Sequence, residues 1–300
     1  MPDCWAGNQA KDSTTIPGKV EHITGLDIRR INNKKKHPKN KSPGLEMKKV
    51  VQVMRKANTP GQIVMFPFGG GSGYSYMDLI KDIETDVEIV VINPPGRLLD
   101  RAKPLESIDA MVYLYSKQLR PLLKDNPLFF GHSIGGIVAY EVCMALVKEI
   151  NIKKMIISSV NPPYRAKNSV DLHSEMDRET LIKKSTELGG MPLLFKSEPE
   201  LLEMFITGLR ADLKALESYI PEKPGNVKKL NVNASVLYSD GDYILDTSNI
   251  REWELYLECS EFIPFEGDHF YLFQESNRKA VARIISRHVD QLSTTLPLFQ

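Results

Sequence analysis

The run FFGHSIGGIVAYEVCMALV, residues 129–147, constrains this chain more than any other stretch. A β-rich segment leads into Gly131-His132-Ser133-Ile134-Gly135, and the residues that follow, 134–147, are apolar on nearly every face. That succession predicts a strand, a turn too tight for side chains at its glycine positions, and a helix deep inside a domain. The turn would present the Ser133 hydroxyl at the helix amino end, where backbone N–H groups and the helix dipole favour developing negative charge.

The surrounding pattern agrees. QIVMF (62–66), VEIVVIN (87–93), PLFFG (127–131), MIISSV (155–160) and ASVLYS (234–239) read as buried parallel strands, with EFIPF (261–265) a weaker sixth. Helical stripes lie between them. In 107–124, Ile108, Met111, Val112, Tyr115, Leu119, Leu122 and Leu123 share one face, and in 275–292 Val281, Ile284, Ile285 and Val289 do. Such alternation predicts an α/β domain with a mainly parallel central sheet flanked by helices and joined by right-handed crossovers. From Tyr164 to Gly225 no strand is visible, only helical pattern at 178–188 and 198–219. This segment, about 164–225, is expected to be a helical lid over the carboxyl edge of the sheet, where ligands of open α/β sheets bind.

Residues 1–58 differ from the rest. RRINNKKKHPKNKSPG (29–44) has too little apolar content to offset its ordering entropy and reads as a poorly ordered basic extension: a solvated tail, a tether to an acidic partner, or a nuclear or nucleic-acid patch. LEMKKVVQVMRK (45–56) reads as a short strand or helix leading into a domain over 59–293, with 294–300 a C-terminal tail. Because 39 Lys+Arg against 38 Asp+Glu leave only +1, the remainder must be acidic, which argues against a surface built for nucleic acid. Cys4, Cys143 and Cys259 are far apart and form no CxxC pair, so a disulfide scaffold or structural zinc site is not expected and a reducing, cytoplasmic compartment fits. The opening MPDCWAGNQAK has no secretory pattern, and no apolar run reaches membrane-spanning length.

Glycines at 131 and 135 around Ser133, set between strand and helix, resemble the nucleophile elbow of the α/β-hydrolase fold. A serine hydroxyl is a poor nucleophile until a base takes its proton, and the base must be oriented by a carboxylate. In that fold the chain order is serine, acid, histidine, which selects His269 in FEGDHFYLF, between the last strand and the final helix. His132 adjoins the nucleophile with its side chain expected to point away. His22 and His37 lie in the extension, His173 in the lid and His288 on the final helix. For the acid, YSDGDYILD offers Asp240, Asp242 and Asp246; Asp242 is preferred, Asp240 is the alternative, and Asp268 is too close to His269 to face it. The Ile134 N–H supplies one oxyanion donor, and FPFGGGSGY (66–74) the second, at Gly69; each such donor is typically worth about 3 kcal/mol. A phosphate-cradling reading of the same glycines fails, because no G-K-[ST] follows and the spacing is not G-x-G-x-x-G.

FPFGGGSGYSY, NPPGR, GHSIGGIVAYE, LGG (188–190), GLRADLKALESY (208–219), SDGD and GDHFYL together resemble the type II thioesterases, the stand-alone editing hydrolases of polyketide and nonribosomal peptide assembly lines. The resemblance spans about Ile63 to Phe273. It implies hydrolysis of acyl groups from the phosphopantetheine arm of an acyl or peptidyl carrier protein, by a monomeric enzyme with no metal or redox cofactor of its own, in antibiotic or fatty acid biosynthesis. Integrated thioesterases usually carry their acid after the strand that follows the nucleophile helix. Ser159 stands there in this chain, so the resemblance implies Asp242 instead. The chain departs from the family in PGRLLDRAKPL (95–105), where Leu98 and Asp100 replace the usual glycine and arginine. Leu193, Leu194, Phe195, Met204 and Phe205 either line an acyl pocket or pack lid to sheet. The alternatives are a carboxylesterase or acyltransferase with the same three residues, or an inactive fold that only binds carriers; the filled triad disfavours the last.

Overall fold

The computed structural model describes residues 50–293, apart from 99, 169–171, 192–194 and 196. The basic stretch 29–44, Leu193, Leu194 and the tail 294–300 lie outside the described residues. Along the chain run β1 (Val51–Arg55), β2 (Gln62–Phe66), α1 (Met77–Asp82), β3 (Glu88–Ile92), α2 (Ile108–Leu119), β4 (Leu128–His132) and α3 (Ile134–Leu146). They are followed by β5 (Lys154–Ser158), α4 (Arg178–Glu187), α5 (Pro199–Ser218), β6 (Leu230–Ser239), β7 (Leu257–Phe265) and α6 (Glu275–Ser293). The seven strands form one sheet in the order β1-β3-β2-β4-β5-β6-β7, parallel except for β1, which runs against β3.

The sheet is buried on both faces, and the two-residue period of a strand divides its side chains between them. From β2, Val64 and Phe66 join the layer under α2 and α3, with Tyr115, Leu119, Ile137 and Val142. Ile63 and Met65 point the other way, toward Val281, Ile285 and Val289 of α6. Helix α3 is enclosed almost all round, as its composition predicts. Its Cys143 belongs to this core, and burial pushes the thiol up to about 12, which leaves it inert. Among the described residues no helix is long and apolar enough to cross a membrane.

The sheet begins ahead of residue 59, within the stretch 45–56 read as a strand or helix leading into the domain. Val51–Arg55 is a strand of the sheet, with Val51 opposite Ile92 and Val53 opposite Val90. The physical reason lies in Arg55. Its guanidinium donates to the carbonyls of Ile83 (2.7 Å), Thr85 (2.8 Å) and Val87 (3.1 Å), satisfying the acceptors left over where α1 ends and β3 begins. Arg55→Met keeps the aliphatic stem and removes every donor. It is expected to cost about 2 kcal/mol, read as a lower denaturation midpoint.

The strand order reverses between β2 and β4, and this crevice is where their carboxyl ends open. Phe66 pairs with Gly131 across these strands, so the loop after β2 and the turn after β4 emerge side by side. Between β5 and β6 the chain leaves the sheet to form α4 and α5, the expected helical insertion. The buried face of α5, with Phe205, Leu209, Leu213 and Leu216, lies over that crevice.

Candidate active site

Ser133 sits at the junction of β4 and α3 with φ 56 and ψ −135, a conformation that L-residues rarely hold. The neighbouring glycines make it possible. A Cβ on Gly131 would lie 2.2 Å from the Gly135 carbonyl oxygen, and one on Gly135 would lie 2.4 Å from that of Phe66. The Ser133 N–H donates to the Ser158 carbonyl (2.8 Å), and the Ser133 carbonyl accepts from Gly136 (2.8 Å), which fixes the turn from both sides. Ile134, one residue on, opens α3, where the first amides have no partner within the helix.

His269 and Asp242 come from the turns that end β7 and β6, which are neighbours with Ser239 opposite Phe265. The Ser239 hydroxyl stitches these turns together, accepting from the Gly241 amide (3.2 Å) and donating to the Gly267 carbonyl (2.6 Å). Asp242 Oδ2 then lies 2.7 Å from His269 Nδ1, both side chains almost fully buried, while Oδ1 accepts from the Ile244 amide (3.2 Å). The other aspartates are occupied elsewhere. Asp240 is exposed, Asp246 is an exposed acceptor for the Ser248 amide at the cap of the next helical turn, and Asp268 accepts from the Phe270 amide.

His132 turns beneath this pair. Its ring centroid is 5.1 Å from that of His269, and its Nδ1 is 2.9 Å from the Ser158 hydroxyl, itself 2.8 Å from that of Tyr271. Burial, reinforced by the proximity of His269, drives the His132 pKa well below its ordinary value, so the ring is neutral at physiological pH. His173 on the lid is exposed, and His288 Nε2 lies 2.6 Å from the Ser235 hydroxyl in the middle of β6.

Ser133, Ile134, Gly69 and His269 line one cavity of about 560 Å³, closed by apolar side chains of the lid such as Leu209, Leu213 and Leu216. In the loop after β2, the Gly70 amide is engaged, donating to Asp212 Oδ2 (2.8 Å). Asp212 belongs to α5, and Arg97 Nη2 donates to both of its carboxylate oxygens (2.7 Å each) and to the Gly208 carbonyl (3.1 Å). This pair is buried. Burial pushes the Asp212 carboxyl up from its ordinary range, opposed by the guanidinium and by the Gly70 amide. Sequence reasoning assigned neither residue a role. The available signal was an aspartate set among the apolar positions Leu209, Ala211, Leu213 and Ala215 of an otherwise amphipathic helix. Elsewhere in the departing loop, Asp100 accepts from the Gly96 and Ala102 amides, and Arg101 is exposed, 3.9 Å from Glu200.

Comparison with known proteins places this geometry in a lineage. The chain is 27% identical over 220 residues to Thioesterase PikA5 of Streptomyces venezuelae, covering 72% of this chain and 76% of that one. It is 28% identical over 218 residues to the probable anguibactin biosynthesis thioesterase AngT of Vibrio anguillarum, covering 71% and 86%. Among solved structures, the type II thioesterase BorB from the borrelidin biosynthetic cluster superposes with a TM-score of 0.72 at 25% identity, covering 81% of this chain and 98% of that one. YbtT, a type II thioesterase from the yersiniabactin pathway, gives 0.68 at 26% identity over the same shares. The thioesterase domain family model matches residues 61–289, from the start of β2 to the last buried turn of α6, and the chain therefore belongs to the thioesterase family of the α/β-hydrolase fold.

Proposed function

We propose that the protein is a type II thioesterase that hydrolyses acyl groups from the phosphopantetheine arm of acyl or peptidyl carrier proteins, with Ser133 as nucleophile, His269 as base and Asp242 as its orienting acid. The observation that carries this reading is the buried contact between His269 Nδ1 and Asp242, in a pair whose imidazole opens on the apolar cavity that also holds Ser133. The names of the relatives, which place them in borrelidin, yersiniabactin and anguibactin synthesis, support the choice of thioester and pathway.

The chemistry follows from the positions. Asp242 accepts the Nδ1–H of His269, which leaves Nε2 as the acceptor for the Ser133 proton. As that proton moves, Oγ bonds to the thioester carbonyl carbon, and the carbonyl oxygen takes up the negative charge. The amides of Ile134 and Gly69 receive it; engagement of the Gly70 amide by Asp212 supports Gly69 as the second donor. Collapse breaks the carbon–sulfur bond, and the imidazolium returns its proton to the departing pantetheine sulfur. Water then gives a proton to His269 and attacks the acyl-serine, and the free acid leaves with Ser133 restored. The phosphopantetheine arrives on the partner, and no step as written calls for a metal or redox cofactor.

The test compares one acyl group on a carrier protein, on coenzyme A and on an oxygen ester. The carrier thioester is expected to show the highest kcat/KM, by about tenfold or more, a difference of 1.4 kcal/mol in transition-state binding. Faster hydrolysis of the oxygen ester, with no dependence on the carrier, would overturn the thioesterase reading in favour of a carboxylesterase. A fluorophosphonate probe is expected to label Ser133 in the wild type and to fail after His269→Ala.

A further inference from the structure

The cavity at Ser133 is not the only space beneath the lid. A second one, of about 730 Å³, lies along the loop after β2, between Phe68, Tyr74 and Met77 on one side and Leu201 and Met204 of α5 on the other. It contains neither Ser133 nor His269. Of the described residues, Phe205 and Gly190 alone line both spaces. Gly190 adds no side chain to the wall, and a Cβ there would lie 2.4 Å from the Phe270 ring. The partition is therefore the ring of Phe205. It is pressed against Gly70, whose φ of +74 and missing Cβ admit it; a Cβ would lie 2.7 Å from Phe205 Cε2.

We propose that Phe205 is the specificity-determining residue that ends the acyl pocket, and that removing its ring joins the two cavities into one channel open to longer chains. The proposal rests on the reading of the Ser133 cavity as the acyl site. The partition itself is an apolar ring, and beyond it apolar surface outweighs the polar groups of Ser72, Ser75, Asp78 and Arg97, so the chemical class that would extend through it is a linear alkyl chain rather than a polar peptidyl group. A merely structural Phe205 would lower every rate together on truncation. A partition changes the ratio between chain lengths.

The experiment uses the full chain and a series of p-nitrophenyl esters from butanoyl to tetradecanoyl, so that its outcome does not depend on whether carriers or oxygen esters are the preferred donors. Fluorophosphonate labelling counts the active sites in each variant. The wild type is expected to lose kcat/KM beyond a medium chain length. Phe205→Ala is expected to raise the tetradecanoyl-to-butanoyl ratio by about tenfold or more, in the range that hydrophobic pocket contacts discriminate. Phe205→Leu should raise it by less, and it decides the matter if the alanine variant does not fold. Ratios unchanged from wild type in the variants that fold, with all rates lowered alike, would overturn the proposal. A wild type that labels normally but prefers oxygen esters would overturn the carrier reading and leave the partition intact.

Discussion

Replacing Ser133 with alanine is expected to lower turnover on the order of a millionfold, with the fold intact. The size of the effect comes from the coupling of the three side chains. Without the hydroxyl, His269 has no proton to accept and Asp242 nothing to orient, so His269→Ala should cost about as much and the double variant little more. Asp242→Asn leaves volume and packing nearly unchanged. It presents an amide in place of the acceptor for Nδ1–H, which favours the wrong imidazole tautomer, and a fall of about ten-thousandfold is expected. The residual rate in all of them is expected to come from the proposed oxyanion donors, the amides of Gly69 and Ile134, and from binding in the cavity. Single-turnover acylation, normalised to folded protein by circular dichroism, measures each loss. A loss below about a hundredfold for Ser133→Ala would leave another group as nucleophile, because general-base assistance to water alone contributes roughly that range.

Asp212→Asn is the second large effect, and it acts first on stability. The substitution strands the Arg97 guanidinium, 3% exposed in its side chain, with no counter-charge. Breaking a buried pair in this way costs about 3–5 kcal/mol, which for a domain of this size lowers the melting temperature on the order of 10 °C. The pair also holds three segments together: the loop after β3, helix α5 of the lid and, through the Gly70 amide, the loop after β2. Arg97→Met combined with Asp212→Leu removes both charges and should recover much of the lost stability, since apolar replacements of buried ion pairs are often neutral. Acylation should not recover with it, because the Gly70 amide has lost its anchor. Thermal melts and acylation rates on the same three proteins separate the two effects. Parallel recovery of both would show that the anchor contributes stability alone.

Much of this was legible before any coordinates. The strands from β2 to β5 were visible as short apolar runs of β-branched or aromatic residues, β6 and the weaker β7 only in their second halves, and α3 because its residues are apolar all round. The candidates Ser133, Asp242 and His269 could be named because local turns put them at strand ends, a property encoded within a few residues. What stayed hidden depends on distance along the chain or on brevity. Arg97 and Asp212 are 115 positions apart, and nothing near either announces the other. β1 alternates only weakly, with one buried residue in five, so its pattern suits a strand or a short helix equally until β3 is there to pair with it. α1 is six residues long, too short for a stripe to show. The partition at Phe205 was also beyond reach, because a cavity is defined by residues from separate segments and leaves no period in any of them.

The direction of β1 sets where cargo can be attached. Since that strand runs against β3, Val50 lies at the end of the sheet where Asn93 follows β3, the same end that carries the serine turn. The carboxyl-terminal turns of α6 lie at the other pole, where Val289 and Val87 approach Gly61 at the start of β2. A fluorophore, affinity handle or surface linkage placed after α6 thus faces away from the mouth, and one joined ahead of Val50 starts out beside it.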